Sequence, residues 1–417
     1  MTYAGERVVL DADSHVMEMP DFLDGYVDPA LKDRLRRDAF DGFQPLIDSA
    51  AKRRRAEPAA ARSGGPVSAT STASAHTRSA AAATNARPYP EEKGWSAFGA
   101  SDPAERSCLL DELGFEAQLV FSTFASVLYR GGDRDLLYEG IRAQNRALAD
   151  FCSGDPRLLA VGFVTLSSAQ RAVSMAAEAL DAGCAAIMVP STPAGGRAPT
   201  HPDLDPFWAL LEERDVPFVL HVGGGGRLLD PAFHDNGTPV PDHLGGGENV
   251  RSKDALAIHH SPAVFLGALV LDGLFDRFPR LRGGCIEQGA GWVVSWLHQL
   301  DHVARSFRRT EEPLRRLADQ PSAYVRRHLR FTPFPGEPVG WMMEQAGPEL
   351  FMFSTDFPHP EGGRDPIAKF DAALEGAGEE DRRAFYASNM AWLLGGLGAG
   401  ASRRSAPATE APVAAPR

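Results

Sequence analysis

The chain has 417 residues, and Asp plus Glu outnumber Lys plus Arg by 55 to 43, for a net charge of −12. That acidity excludes a nucleic-acid or anionic-membrane surface as the main partner, because both need concentrated positive charge. A hydrophobic content of 43% excludes a wholly disordered chain, and four Cys with no C-x-x-C pair exclude a disulfide framework.

The N-terminus, MTYAGERVVLDADSHVMEMP, carries no apolar leader, and no segment approaches the run of ~20 apolar residues that a membrane helix needs. The expectation is a soluble, cytoplasmic protein. Arg7–Asp13 reads as a first strand. Residues 50–87 are dominated by Ala, Ser, Thr, Gly, Pro and Arg, with one Val and no aromatic residue. Such a stretch buries too little apolar area to offset its ordering entropy, so a disordered insertion is expected, with Arg53–Arg55 as a solvated charge run. Residues 399–417 read as a disordered tail of the same kind, leaving one domain over residues 1–398.

Between these segments, short apolar runs alternate with helical patterns. The further strands are Ala117–Ser122, Leu158–Thr165, Cys184–Val189, Pro217–His221, Leu281–Glu287, His328–Thr332 and Leu350–Thr355. Helical sequence separates them, as in Pro103–Leu113, Asp133–Cys152, Ala169–Ala182 and Asp205–Arg214, and Glu379–Leu394 closes the series. Eight strands alternating with helices predict an α/β protein, a (β/α)8 TIM barrel, with an open doubly wound sheet as the rival. No G-x-G-x-x-G follows a strand, and no G-x-S-x-G nucleophile elbow is present.

A barrel places its chemistry at the C-terminal ends of its strands. Strand one ends in Asp13 and His15, two apart and therefore on one face. Strand five ends in His221, strand six in Glu287 and strand eight in Asp356. Imidazole and carboxylate are ligands for Zn, Mn or Fe, so this set predicts a site for a divalent metal ion. Arg130 and Arg227, just after strands two and five, are placed to hold a carboxylate of a small-molecule substrate. The Cys residues read as buried small hydrophobes.

DADSHVMEMPDF, PFVLHVGG, LFDRFPRLRGGCIEQGAGW and FMFSTDFPHPEGG, with NMAWLL near the end, resemble the amidohydrolase superfamily. The likeness is strongest to the amidohydrolase-related branch that includes aminocarboxymuconate semialdehyde decarboxylase and gamma-resorcylate decarboxylase. It implies a distorted TIM barrel with one or two metal ions, a possible homodimer, and Asp13, His15, His221 and Asp356 as metal ligands. It also implies a role for Asp356 in moving a proton, with His359 of the Asp-x-Pro-His signature close by. One departure stands out: Glu287 occupies a position where many relatives carry a His used by the decarboxylases. A Glu cannot be an imidazolium acid, but it can ligate a metal or act as general base for a water. On that ground hydrolysis of an acyl or related carbonyl by a metal-activated water is expected, with Asp356, Glu287 and His359 as catalytic groups. Non-oxidative decarboxylation of an aromatic or unsaturated acid is the alternative, and a catalytically silent binding barrel a second one.

Overall fold

The computed structural model describes residues 2–56, 88–131, 133–223, 228–238 and 251–396. Seven parallel strands run in sequence order: β1 (Leu10–Val16), β2 (Ala117–Ser122), β3 (Leu158–Phe163), β4 (Ala186–Met188), β5 (Phe218–Leu220), β6 (Gly283–Cys285) and β7 (Leu329–Phe331). The eighth segment, 351–357, makes single parallel bridges to both edges, Phe331 with Phe351 and Ser14 with Phe357. Backbone bonds from Met352 N to Phe331 O (2.9 Å) and from Ala12 N to Phe353 O (3.0 Å) join it to β7 and β1. The expected closure is therefore present, and the fold is a distorted (β/α)8 barrel.

The inward side chains form their own apolar layer. Leu10 and Ala12 of β1 meet Leu119, Phe121, Val161, Ala186 and Val219 from β2 to β5, with Ile286 just after β6 and Met352 of the eighth segment. Met390 and Leu393, from the helix Asn389–Leu393, belong to the same cluster. The helices pack outside through a second, larger core. Their ends are locally specified. Asp102 accepts from Glu105 N and Pro103 takes the first turn, while Gly114 stops that helix in the left-handed conformation (φ 71°). Asp133 caps the helix Arg134–Ser153 in the same way.

Several expected boundaries move. The first strand runs Leu10–Val16, three residues later than expected, so Asp13 and His15 lie inside it. The helix Gln44–Ala56 extends into the expected insertion, and Ala50 is buried in the core. Its local helical pairing overrides a composition poor in large apolar groups. Residues 57–87 and the expected tail lie outside the described residues. The stretch 254–278 is three helices, Ser252–Ala257, His260–Leu271 and Leu274–Arg277. By length and composition alone, Ser252–Leu271 is long and apolar enough to cross a membrane, against the sequence reading. A turn at Ile258–His259 breaks it, and Phe265, Leu266, Leu269 and Val270 are buried in the core. Of the four Cys, Cys108 is exposed, contrary to expectation, and the other three are buried.

Candidate active site

A β-bulge decides which way the first motif points. Leu10 and Ala12 face the barrel interior, and strict alternation would send Ser14 and Val16 there next. The pairing of β1 with β2 shifts between Asp11 and Ser14, and Val16 joins the outer core instead. Asp13 and His15 thereby turn inward together. Asp13 Oδ1 lies 3.2 Å from His15 Nε2 and 3.3 Å from His221 Nε2. His221 Nε2 is in turn 3.2 Å from Glu287 Oε2. Donor atoms of these four residues all lie within 4.8 Å of one another.

Asp356 belongs to an adjoining group. Its Oδ1 is 2.8 Å from His359 Nδ1 and 3.5 Å from His15 Nε2. His15 is shared by both groups. The five ligands expected from the sequence thus converge, but Asp356 pairs with His359 rather than joining the four-donor set. Glu287 and Asp356 are both left-handed, at φ 54° and 53°, which strains a non-glycine residue. The loop after Asp356 is packed just as closely. A Cβ on Gly362 would lie 1.9 Å from Thr355 O, which accounts for a glycine in HPEGG.

The donor chemistry fits a divalent cation. Both ring nitrogens of His15 and both carboxylate oxygens of Asp356 are buried without an aligned hydrogen-bond partner. Their close approaches without alignment are what lone pairs aimed at a common ion produce. His221 Nδ1 sits 3.0 Å from Val222 O, so the Nδ1–H tautomer satisfies that carbonyl and presents the Nε2 lone pair to the site. Burial alone would raise Asp13, but the imidazoles of His221 and His15 hold its carboxyl well below the usual range. Burial, reinforced by His359, pushes His15 down to about 3, leaving it neutral for ligation. Burial raises Asp356, despite the opposing pull of His359.

Around this core stand residues that the sequence reading passed over. Asp11, fully buried, accepts from Thr355 N (2.8 Å), Thr355 Oγ1 (2.6 Å) and Gln118 Nε2 (2.8 Å), tying β1 to β2 and the eighth segment. Glu18 accepts from Thr123 N (3.0 Å) and Phe124 N (2.8 Å), and Thr123 Oγ1 lies 3.0 Å from His359 Nε2. Both acids sit in the DADSHVMEMPDF motif, so a signal for them existed. Arg106 had none: it lies mid-helix, yet is fully buried and donates to Gly99 O (2.6 Å) and His15 O.

A small open pocket lies over these groups, lined by Asp13, Glu287, Thr332, Phe334, Asp356 and Glu361 among others. Arg130 is not brought there: it is exposed, at the end of the turn Ala125–Leu128, and is not among the lining residues. Arg227 lies outside the described residues, as does His243. His259 stacks on Trp292 at 5.5 Å, His234 pairs with Asp254 at 2.9 Å, and His201 accepts from Asp203 N.

The gamma-resorcylate decarboxylase of Rhizobium radiobacter is 29% identical over 201 residues, which is 46% of this chain. The match spans 57% of that relative's length. An amidohydrolase from Mycobacterium avium subsp. paratuberculosis has the same fold, with a TM-score of 0.68 at 20% identity over 94% of this chain and all of the other. A 5-carboxyvanillate decarboxylase from Novosphingobium aromaticivorans, complexed with manganese and 4-hydroxy-3-methoxy-5-nitrobenzoic acid, gives 0.59 at 17% identity over 94% and 97% of the two chains.

The sequence match to a gamma-resorcylate decarboxylase overturns the preference for hydrolysis. The site does hold an imidazole beside a carboxyl without a His at position 287: His359 Nδ1 lies 2.8 Å from Asp356 Oδ1. The sequence model of one family, described as amidohydrolase, matches residues 11–395, and on that match the chain belongs to the amidohydrolase family.

Proposed function

We propose that the chain is a metal-dependent, non-oxidative decarboxylase of a small aromatic carboxylic acid bearing a neighbouring hydroxyl. The observation that carries this reading is the buried Asp356–His359 pair, 2.8 Å apart, against a four-donor group that fits a divalent cation. Asp13, His15, His221 and Glu287 would hold the ion. Two carboxylates among four ligands favour a harder ion, such as manganese, over zinc. Such an ion would supply positive charge to offset the negative charge of the substrate.

The chain's own groups then move one proton. Burial favours the protonated form of Asp356, which can deliver that proton to the ring carbon as the bond to the carboxylate breaks and carbon dioxide leaves. The electron pair of the broken bond forms the new C–H bond, so atoms and charge balance without an oxidant. His359 hands a proton back to Asp356 through Nδ1, and Thr123 Oγ1 fixes the ring from the other side. Phe334 and the flanking Pro333 and Pro335 give the pocket an apolar wall for an aromatic ring.

The test is carbon dioxide release from manganese-loaded protein over a panel of hydroxybenzoates, with Asp356→Asn as control. Release by the wild type and its loss in the variant support the reading. No release from any acid, or equal release by both proteins, sinks it.

A further inference from the structure

The segment after Glu287, Gln288-Gly289-Ala290-Gly291, has a composition that the metal donors do not explain. Ala290 is the N-cap of the helix Gly291–Phe307, and it has no side-chain acceptor for the free N–H groups there. Glu337 supplies one from the next loop. Its Oε1 accepts from Gly291 N (2.7 Å), and its Oε2 accepts from Ala290 N (3.0 Å) and Phe334 N (2.7 Å). The partial positive charge of a helix N-terminus favours a carboxylate in that place. A Cβ on Gly291 would lie 2.9 Å from Glu337 Oε1, so this close approach requires glycine.

The loop that Glu337 holds is a tight turn, Phe334-Pro335-Gly336-Glu337. Glu337 N donates to Phe334 O (3.0 Å), and Gly336, after Pro335, takes a positive φ of 110°. The turn sets Phe334 and Glu337 side by side. The Phe334 ring packs beside Gly289, where a Cβ would lie 3.1 Å from it. Glu287 N donates to Thr332 Oγ1 (2.9 Å). The loops after β6 and β7 are thus tied together at Thr332 and at Glu337, on either side of Phe334. Phe334 itself lines the pocket with Glu287 and Asp356.

We propose that Glu337 is a positioning residue: its carboxylate clamps the turn Phe334–Glu337 to the start of the helix Gly291–Phe307, and so fixes Phe334 as the wall that selects an aromatic acid. Glu337 acts through Phe334, not on the reacting atoms. The inference rests on the decarboxylase reading for the class of ligand, an aromatic acid, but for no step of the chemistry.

The experiment measures binding of benzoate and of acetate to manganese-loaded wild type, Glu337→Ala, Phe334→Ala and the double variant. Relaxation of the probe's protons by bound manganese reads weak binding as a titration. The probes share the carboxylate and differ by the ring, and neither bears the hydroxyl that the decarboxylase reading requires. Loss of an aromatic contact predicts that each single variant binds benzoate roughly 3- to 10-fold more weakly and acetate unchanged. The double variant should bind benzoate no more weakly than Phe334→Ala, because Glu337 then has nothing left to position. Additive losses, equal weakening of acetate and benzoate, or unchanged benzoate binding overturns the proposal, as does a wild type that binds no benzoate. If Glu337→Ala does not fold, Glu337→Gln, which keeps one acceptor oxygen, enters the same cycle. The expected benzoate pattern without carbon dioxide release from any hydroxybenzoate would sink the decarboxylase reading and leave the clamp standing. Carbon dioxide release with unchanged benzoate binding in every variant would do the reverse.

Discussion

Glu287 and Asp356, which line the same pocket, share one backbone signature: both are left-handed, at φ 54° and 53°. Glu287 lies two residues past β6 and Asp356 near the end of the eighth segment, and the N–H of each is hydrogen-bonded. Glu287 N donates to Thr332 Oγ1 (2.9 Å), and Asp356 N donates to Asp13 O (2.9 Å). Such positions cost on the order of 1–3 kcal/mol and persist where the surroundings impose them. At Asp356 a carboxylate is also buried, with its protonated form favoured by desolvation.

Asp356→Asn should therefore separate stability from function. Asn tolerates the left-handed conformation and carries no charge to desolvate. In chelator, thermal unfolding of this variant should occur above that of the wild type, while decarboxylation is abolished. A variant less stable than metal-free wild type would show that Asp356 is a net stabiliser of the fold.

Metal content should track the four-donor group. Loss of a second-layer partner typically costs roughly 10- to 100-fold in metal affinity, so His221→Ala and Asp13→Asn should each cost more than that. Elemental analysis after dialysis at fixed free manganese reads it directly. Equal metal content in wild type and His221→Ala would exclude His221 from the ligand set.

Arg106 should matter through His15. Its guanidinium is fully buried and donates to the carbonyl of His15, while lying 4.8 Å from the centre of the Phe357 ring. Arg106→Met leaves the carbonyls of His15 and Gly99 without these donors, at ~1–3 kcal/mol for each unsatisfied group. Chemical denaturation should show a loss of that order, and manganese affinity should fall with it. Unchanged affinity in a folded variant would confine Arg106 to the scaffold.

Acid stability should depend on His328, far from the metal donors in sequence and packed against Phe275 at 4.4 Å. Burial lowers its pKa from the ordinary value near 6.5. Below that value the unfolded chain takes up a proton that the folded chain resists, so stability falls as pH falls. The contribution is at most ~1.4 kcal/mol per pH unit, beginning near pH 6.5. In unfolding curves from pH 7 to pH 5, His328→Asn should lose less stability than the wild type. Parallel curves would show that His328 titrates normally in the fold.

The alternation of apolar runs and helices was enough to determine the barrel, because strand and helix periodicities are local properties of the chain. The strand-end residues Asp13, His15, His221, Glu287 and Asp356 followed from the barrel, since its strands all present their ends to one mouth. Three matters were decided only by tertiary structure. The inward turn of Asp13 and His15 depends on a bulge against β2, which no single strand encodes. The approach of Asp356 to His15, at 3.5 Å, depends on the eighth segment closing onto β1. The buried cation Arg106 carries no sequence signal at all, because its meaning lies in burial and in groups distant along the chain. Local patterning sets which elements form, while electrostatics at a site depends on long-range packing, which is why the fold was legible and the reaction was not.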